Sequence, residues 1–355
     1  MTVPPAAPAS SPPSAGRAPL SVGRARRVGR GLRLLYRTLR INPLSFAGFV
    51  LVVLLGATGL VVWLVPSVLP YPALSINLNA TNLAPSWAHP FGTDELGRDL
   101  LSNVLAGLPV DLAIGFTIAG GSLLFGGALG VVAGYYNRPR SLGAVASMVI
   151  LRVTDLFLAF PALILALAFT IALGRGLYPI VLAVFLTWWP FYVRLARGEV
   201  LVVKNQPYIA AARAAGVSEG RIVLRHVLRN ILEPLMVYFT LDVGTVIVTF
   251  STVAFVTHGI QYPVTPPVEW GAMVAYYEDY VTYLPWTVLF PGIAIFVTVL
   301  AFSLLGDGLR DVLDPRTRQS MIQVGSAARE GRVAGAFVAG PDEEPPGPPG
   351  PEASS

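Results

Sequence analysis

The chain reads as an all-α membrane protein of six transmembrane helices with both termini in the cytoplasm, and three observations lead there. Hydrophobic residues make up 54% of its 355 residues and charged residues only 13%, and its mean hydropathy is +0.63, far from the composition of water-soluble domains. Charge-free stretches run from Ile41 to Thr93, Leu112 to Asn137, Leu156 to Gly174, Gly176 to Val193, Val243 to Val268 and Tyr280 to Gly306. Each holds or nearly holds the roughly 20 apolar residues that cross a bilayer as helix. Lys and Arg cluster before the first stretch (Arg17 to Arg40), after the second (Arg138, Arg140), after the fourth (Arg194 to Arg229) and after the sixth, whereas the opposite ends carry only Arg98 and Arg175. Basic residues beside spans stay cytoplasmic, which fixes the expected orientation.

Residues 1 to 20, rich in Pro, Ala and Ser, read as disordered, and the basic run that follows is suited to anionic headgroups. Span one is expected over Leu44 to Val65, ended by Pro66. After a proline-rich outer loop, Thr93 is placed to cap a helix with Asp94 and Glu95 in its first turn, and Leu96, Leu100, Leu101, Val104, Leu105 and Leu108 form an apolar stripe. This predicts an amphipathic helix on the outer surface, its carboxylates paired with Arg98 rather than holding a metal. Span two, about Val110 to Tyr136, carries Gly126, Gly130 and Gly134 at intervals of four, a spacing that lets two membrane helices pack closely. Span three is expected over Gly143 to Gly174, with an Arg152 to Asp155 contact near its cytoplasmic end.

Span four, about Leu177 to Val193, places Trp188 and Trp189 where an interfacial aromatic belt would lie. The basic segment Tyr208 to Leu235 then reads as two short helices broken at Gly216, with Ser218 available as a cap for the second and Arg221 at its third position. Ile222, Val223 and Val227 fall on one side, while Arg221, Arg225 and Arg229 repeat along another, so this is an amphipathic docking element or a headgroup-layer helix. Span five, about Pro234 to Val256, holds Asp242 about two turns in from its cytoplasmic end. An unpaired carboxylate there is costly, so Asp242 lines a polar passage or pairs with a neighbouring helix. Thr245 and Thr249 follow it at helical spacing. An outer loop from His258 to Tyr283 contains Glu269, Glu278 and Asp279, and span six covers about Leu284 to Leu305.

The docking segment resembles the EAA coupling loop of ABC importer permeases. It keeps Ala211, Ala212, Gly216 and Leu228 in register with that pattern and departs from it at Ala210, His226 and Arg229. HPFGTDELGRD (His89 to Asp99), LRVTDLFLAFP (Leu151 to Pro161), PPVEWG (Pro266 to Gly271) and the run from Pro285 to Arg316 accompany it in order. Together they are similar to the C-type permeases of the dipeptide, oligopeptide and nickel importer family, and the similarity covers about Ile41 to Arg318. The end of span five departs from that family, reading FSTVAFVTHG at Phe250 to Gly259, with an acidic residue lost and a histidine gained.

The resemblance implies a type I ABC importer permease fold and a chain that is not itself an enzyme. It implies four kinds of partner: a homologous B-type permease, two cytoplasmic ATPase subunits, an extracytoplasmic solute-binding protein and the lipid membrane. The ATPase-coupling residues would be Ala211, Ala212, Gly216, Val217, Ser218 and Arg221, with the pathway along Asp242, Thr245 and Thr249. ATP and Mg would be bound by the ATPase partners, with no cofactor on this chain, which lacks a Gly-x-x-x-x-Gly-Lys-[Ser/Thr] loop. Peptides are the default solute, with oligosaccharides or nickel as family alternatives, and an ion-coupled carrier using Asp242 as the reading from a different class. The net charge of +5 follows from topology and does not mark a nucleic-acid surface. The expected organisation is a tail (1–40), a first helix with outer loop and amphipathic helix (41–108), a five-helix core (109–306) containing the coupling loop (201–233), and a second tail (307–355), disordered after about 318.

Overall fold

A computed structural model describes residues 43–137, 140–174, 176–261 and 269–313. The tails, Arg138, Arg175, Pro263, Pro266 and Pro267 lie outside the described residues. Helix α1 (Pro43–Leu64) carries no charged residue, starts at a proline whose missing N–H costs nothing in a first turn, and is followed by Pro66. It lies at the periphery against the last helix, with Gly48 allowing close approach to Leu304 and Leu305.

The segment after α1 is mostly irregular, with single 3₁₀ turns at Pro66–Val68 and Leu78–Ala80. Here the structure corrects the sequence expectation. Helix α2 starts at Leu100 and runs unbroken to Tyr135, so the outer amphipathic helix is the first part of span two, and the division at 108/109 falls inside one helix. Asp99 is the cap, its Oδ2 accepting from Ser102 N at 2.8 Å. Thr93 instead donates to the Ala80 carbonyl and accepts from Leu83 N. The cause lies at Gly97, whose φ of +71° is not helical and where a Cβ would collide with the Asn77 carbonyl.

Span three is also corrected. It is two helices, α3 (Leu142–Leu158) and α4 (Ala162–Leu173), meeting at 91°. Pro161 lacks an N–H and disfavours helical backbone in the residue before it, so the chain turns there. Helix α5 (Leu177–Lys204) continues past the expected end at Val193 by three turns. Two short helices follow, α6 (Pro207–Ala214) and α7 (Glu219–Ile222). A π turn at Val223–Val227 leads into α8 (Leu228–Gln261). A short helix, α9 (Trp270–Tyr276), lies between α8 and the last helix, and α10 (Trp286–Leu313) completes the described chain. Among the described residues, five helices are long and apolar enough to cross a membrane, and six spans result if the bent α3–α4 pair is one.

The glycines of α2 decide how the bundle closes. A Cβ on Gly130 would lie 2.6 Å from the Val193 carbonyl and 2.8 Å from the Ala196 Cβ, and one on Gly134 would lie 2.9 Å from Val200. Gly126 would meet the Trp189 carbonyl and Tyr192. All three therefore seat α2 against α5 with backbone in near contact. One apolar cluster, including Leu100, Ile118, Val184, Ile247, Phe250, Trp270 and Tyr277, fills the bundle. A second lies at the elbow end, where Val131, Tyr135, Val200, Ile209, Ile222, Val227 and Ile231 meet.

Candidate functional site

The elbow between α6 and α7 turns at Gly216, whose φ is +77°. Alanines favour helix and a glycine in left-handed backbone ends it, and Gly216 N bonds to the Arg213 carbonyl at 2.9 Å. No atom lies within 4 Å of the space a side chain at Gly216 would enter. Ala211 and Ser218 are exposed, Ala212 and Val217 half-buried. Ser218 sits in extended backbone at the cap position, but its side chain makes no capping bond, contrary to expectation. Arg221, Arg225 and Arg229 all face outward, whereas Ile222, Val223 and Val227 are buried.

Three ties hold the elbow to the bundle, and the sequence did not disclose them. Tyr135, the last residue of α2, hydrogen bonds Glu219 at the start of α7. Arg213 donates to the same hydroxyl at 3.3 Å and pairs with Glu219 at 3.4 Å. The hydrogen bond to Tyr135 raises the Arg213 pKa above its ordinary value, against the opposing effect of burial. Lys204, closing α5, donates to the Gly134 carbonyl at 2.7 Å. The elbow thus rests on the ends of both helices that the glycines lock together.

One continuous helical stretch, Glu219–Thr257, carries the elbow at one end and, in its middle, a polar face on which Tyr238 and Thr245 are exposed and Asp242, Thr249 and Thr252 half-buried. Tyr238, Asp242, Thr245, Thr249 and Thr252 follow one another at intervals of four, three, four and three, which places them on one side of α8. Thr249 and Thr252 donate to the carbonyls four residues back, at 3.0 and 2.8 Å, leaving oxygen lone pairs on that face. Asp242 accepts from Trp188 Nε1 and from the Tyr192 hydroxyl, both at 2.8 Å. It is therefore held by hydrogen bonds from α5. The aromatic-belt reading is corrected, since Trp188 and Trp189 are 8% and 6% exposed. Trp188, Phe191, Tyr192 and Leu195 share one face of α5 at helical spacing, the signal from which their partnership with α8 was readable. With Tyr238, Asp242 and Thr245 they line a cavity of about 510 Å³.

Several other charged residues pair or cap within the fold. Arg98 pairs with Asp94 at 2.5 Å and with Glu95 at 3.3 Å, both as expected, though in a turn rather than a helix. Asp99 instead takes His89 at 2.9 Å. Asp155 pairs with Arg194 at 2.8 Å rather than with Arg152, because the extended α5 brings Arg194 beside it. Glu269 is buried and caps α9, accepting from Gly271 N and Ala272 N at 2.7 Å each, while Trp270 N donates to Asp111 of α2 at 3.2 Å.

Residues 126–319 match the family described as binding-protein-dependent transport system inner membrane component. The "Probable D,D-dipeptide transport system permease protein DdpC" of Escherichia coli (strain K12) is 40% identical over 278 residues, 78% of this chain and 89% of the relative. The "Dipeptide transport system permease protein DppC" of Alkalihalophilus pseudofirmus is 40% identical over 234 residues, 66% of this chain and 74% of the relative. The "Glutathione transport system permease protein GsiD" of Pectobacterium atrosepticum is 38% identical over 251 residues, 70% and 80% of the respective chains.

Proposed function

The chain belongs to the family of binding-protein-dependent transport system inner membrane components, and on that premise we propose that it forms half of the membrane passage of an ATP-driven importer for peptides or related small solutes. In this reading it crosses the membrane six times with both termini cytoplasmic, the α3–α4 pair counting as one bent span. A homologous B-type permease supplies the other half, two ATPase subunits bind and hydrolyse ATP with Mg, and an extracytoplasmic protein delivers the solute. This chain performs no chemistry and binds no cofactor.

The observation that carries the reading is the continuous helical stretch from Glu219 to Thr257, in which α7 passes through the π turn directly into α8. Polar side chains exposed on a membrane helix are costly against lipid and are suited to a water-filled passage. Because the same helix begins at the exposed elbow, a push on Ala211, Ala212, Gly216, Val217, Ser218 and Arg221 moves the face bearing Asp242, Thr245 and Thr249. Closure of the ATPase pair would supply that push, and the anchored elbow would transmit it.

The test replaces Gly216. Asn tolerates left-handed backbone, so Gly216→Asn keeps the turn, whereas Gly216→Trp projects a large ring into the open space where a motor groove would sit. Gly216→Asn is expected to retain co-purification with an ATPase subunit and ATP-dependent uptake, and Gly216→Trp to lose both while still inserting in the membrane. Uptake by the unaltered protein that persists after ATP depletion and collapses with an ionophore would instead assign transport to an ion-coupled carrier.

A further inference from the structure

We propose that the cavity between α5 and α8 is an ammonium subsite, in which the free oxygen of Asp242 and the surrounding aromatic rings hold the charged amino end of a passing solute. This rests on the reading of the α8 polar face as the passage wall, and it names the chemistry that wall selects. Both hydrogen bonds to Asp242 end on Oδ2. That leaves Oδ1 as the acceptor, with no described side chain donating to it. Trp188 and Tyr192 spend their N–H and O–H on fixing the carboxylate, so what they and Phe191 offer the cavity is ring surface.

Phe191 and Tyr238 stand half-exposed at the cavity wall, at 49% and 48%. Asp242 is the charged residue of the lining, and no Lys or Arg is among the residues that form it. A carboxylate held in an apolar, aromatic wall without a cation is electrostatically unfinished. An ammonium group completes it twice over, through a charge-assisted hydrogen bond to Oδ1 and through attraction to the ring faces.

The same lining argues against a bare metal ion. Hard cations need several oxygen ligands at once and nickel favours imidazole, whereas the wall offers one carboxylate, the Thr245 hydroxyl and the phenol hydroxyls of Tyr192 and Tyr238, with no His or Cys among the lining residues. The volume of about 510 Å³ exceeds what an ammonium group needs and admits the residue that bears it. The inference therefore favours amine-bearing solutes, with the N-terminus of a short peptide as the simplest, over nickel or a neutral oligosaccharide.

The test uses the importer complex purified through this chain, without the solute-binding protein, in phosphatidylglycerol nanodiscs. The probes are dialanine and N-acetyl-dialanine, titrated by calorimetry. Dialanine is expected to bind at least about tenfold more tightly than its acetylated form, the order of loss when one partner of a desolvated charge pair is removed. Asp242→Asn should erase that preference and Asp242→Glu keep most of it. Phe191→Leu and Tyr238→Leu leave both hydrogen bonds to Asp242 in place and should weaken dialanine a few-fold. Equal affinity for the two probes, or an Asp242→Asn variant that still prefers dialanine, overturns the subsite. Repeating the titration in phosphatidylethanolamine discs separates the sources of ammonium. A persisting dialanine signal assigns the cavity to the solute, and its loss to competition assigns the cavity to the lipid headgroup and overturns a solute role. ATP-dependent uptake is measured in parallel. Intact uptake with unselective binding removes the ammonium subsite alone, whereas uptake that does not depend on ATP removes the importer reading beneath it.

Discussion

Gly130 shows how much a single hydrogen atom in place of a side chain decides. Its neighbours across the interface include the Val193 carbonyl and the Arg197 backbone N, and backbone cannot rotate away as a long side chain can. Gly130→Val should push α5 from α2 and lower stability by about 1–3 kcal/mol, the usual cost of overpacking. Gly198, on α5 itself, has no atom within 4 Å of a Cβ, so Gly198→Ala should be neutral or gain about 0.5–1 kcal/mol. Melting curves of the two purified variants check the contrast. Glu269 gives a pH signature. Burial is the main cause that raises its pKa, while bonds from Ala272 and Gly271 pull it down. A carboxyl whose pKa is higher folded than unfolded binds its proton more tightly in the fold. Its contribution to stability is complete below the ordinary value of 4.5 and is lost as pH rises through the folded value. The melting temperature of Glu269→Gln, whatever its absolute level, should therefore fall less than that of the unaltered protein as pH rises from 4.5, with Asp111 kept beside it in both.

At the scale of elements, the elbow is held by a few side chains. Ile209 of α6 and Ile222 of α7 are fully buried in the cluster with Val131, Val200 and Ile231, while the rest of α6 is exposed apart from half-buried Ala212. Truncating Ile209 to Ala removes about 2–5 kcal/mol of local packing. Hydrogen exchange across residues 207–214 should accelerate by at least about tenfold, with little change in the centre of α2 or α8. Unchanged exchange would mean that the elbow is held by its polar ties alone. The elbow itself was legible, because alanines, Gly216 and the buried and exposed sides of 221–229 are local signals. The glycine period of α2 was legible for the same reason. The start of α2 was not, since Thr93 and Asp99 are both good caps and the choice was made by Gly97 packing on Asn77, a contact from outside the helix. The ties among Tyr135, Arg213 and Glu219 join residues 78 and 84 positions apart, and no periodicity reports such a pairing. Asp242 was rightly suspected of needing a partner or a passage, but its two donors lie on α5, at separations of 54 and 50.

For the molecule as a whole, two kinds of exposed surface have to be distinguished. Helices α1 and α10 show apolar faces, with Leu54 at 56% and Leu289 at 55% exposed, and such faces are suited to lipid tails. The partly exposed face of α8 is lined by Tyr238, Asp242 and the threonines, and lipid would leave the second Asp242 oxygen and the remaining hydroxyl lone pairs unsolvated. If the second permease covers this face across a water-filled gap, the two surfaces differ in solvent access even though both lie at membrane depth. The chain contains no cysteine, so single cysteines introduced into the unaltered sequence report each position without background. The thiolate is the reactive species and forms poorly in apolar surroundings. Thr245→Cys and Thr249→Cys in the assembled importer should therefore react with a membrane-impermeant methanethiosulfonate, while Leu54→Cys and Leu289→Cys should stay largely unmodified. Addition of dialanine should slow labelling at Thr245, which lines the cavity, more than at Thr249, one turn farther along α8. Equal reactivity at all four positions would mean that the polar face is no more hydrated than the lipid-facing helices, and the passage would have to run elsewhere in the complex.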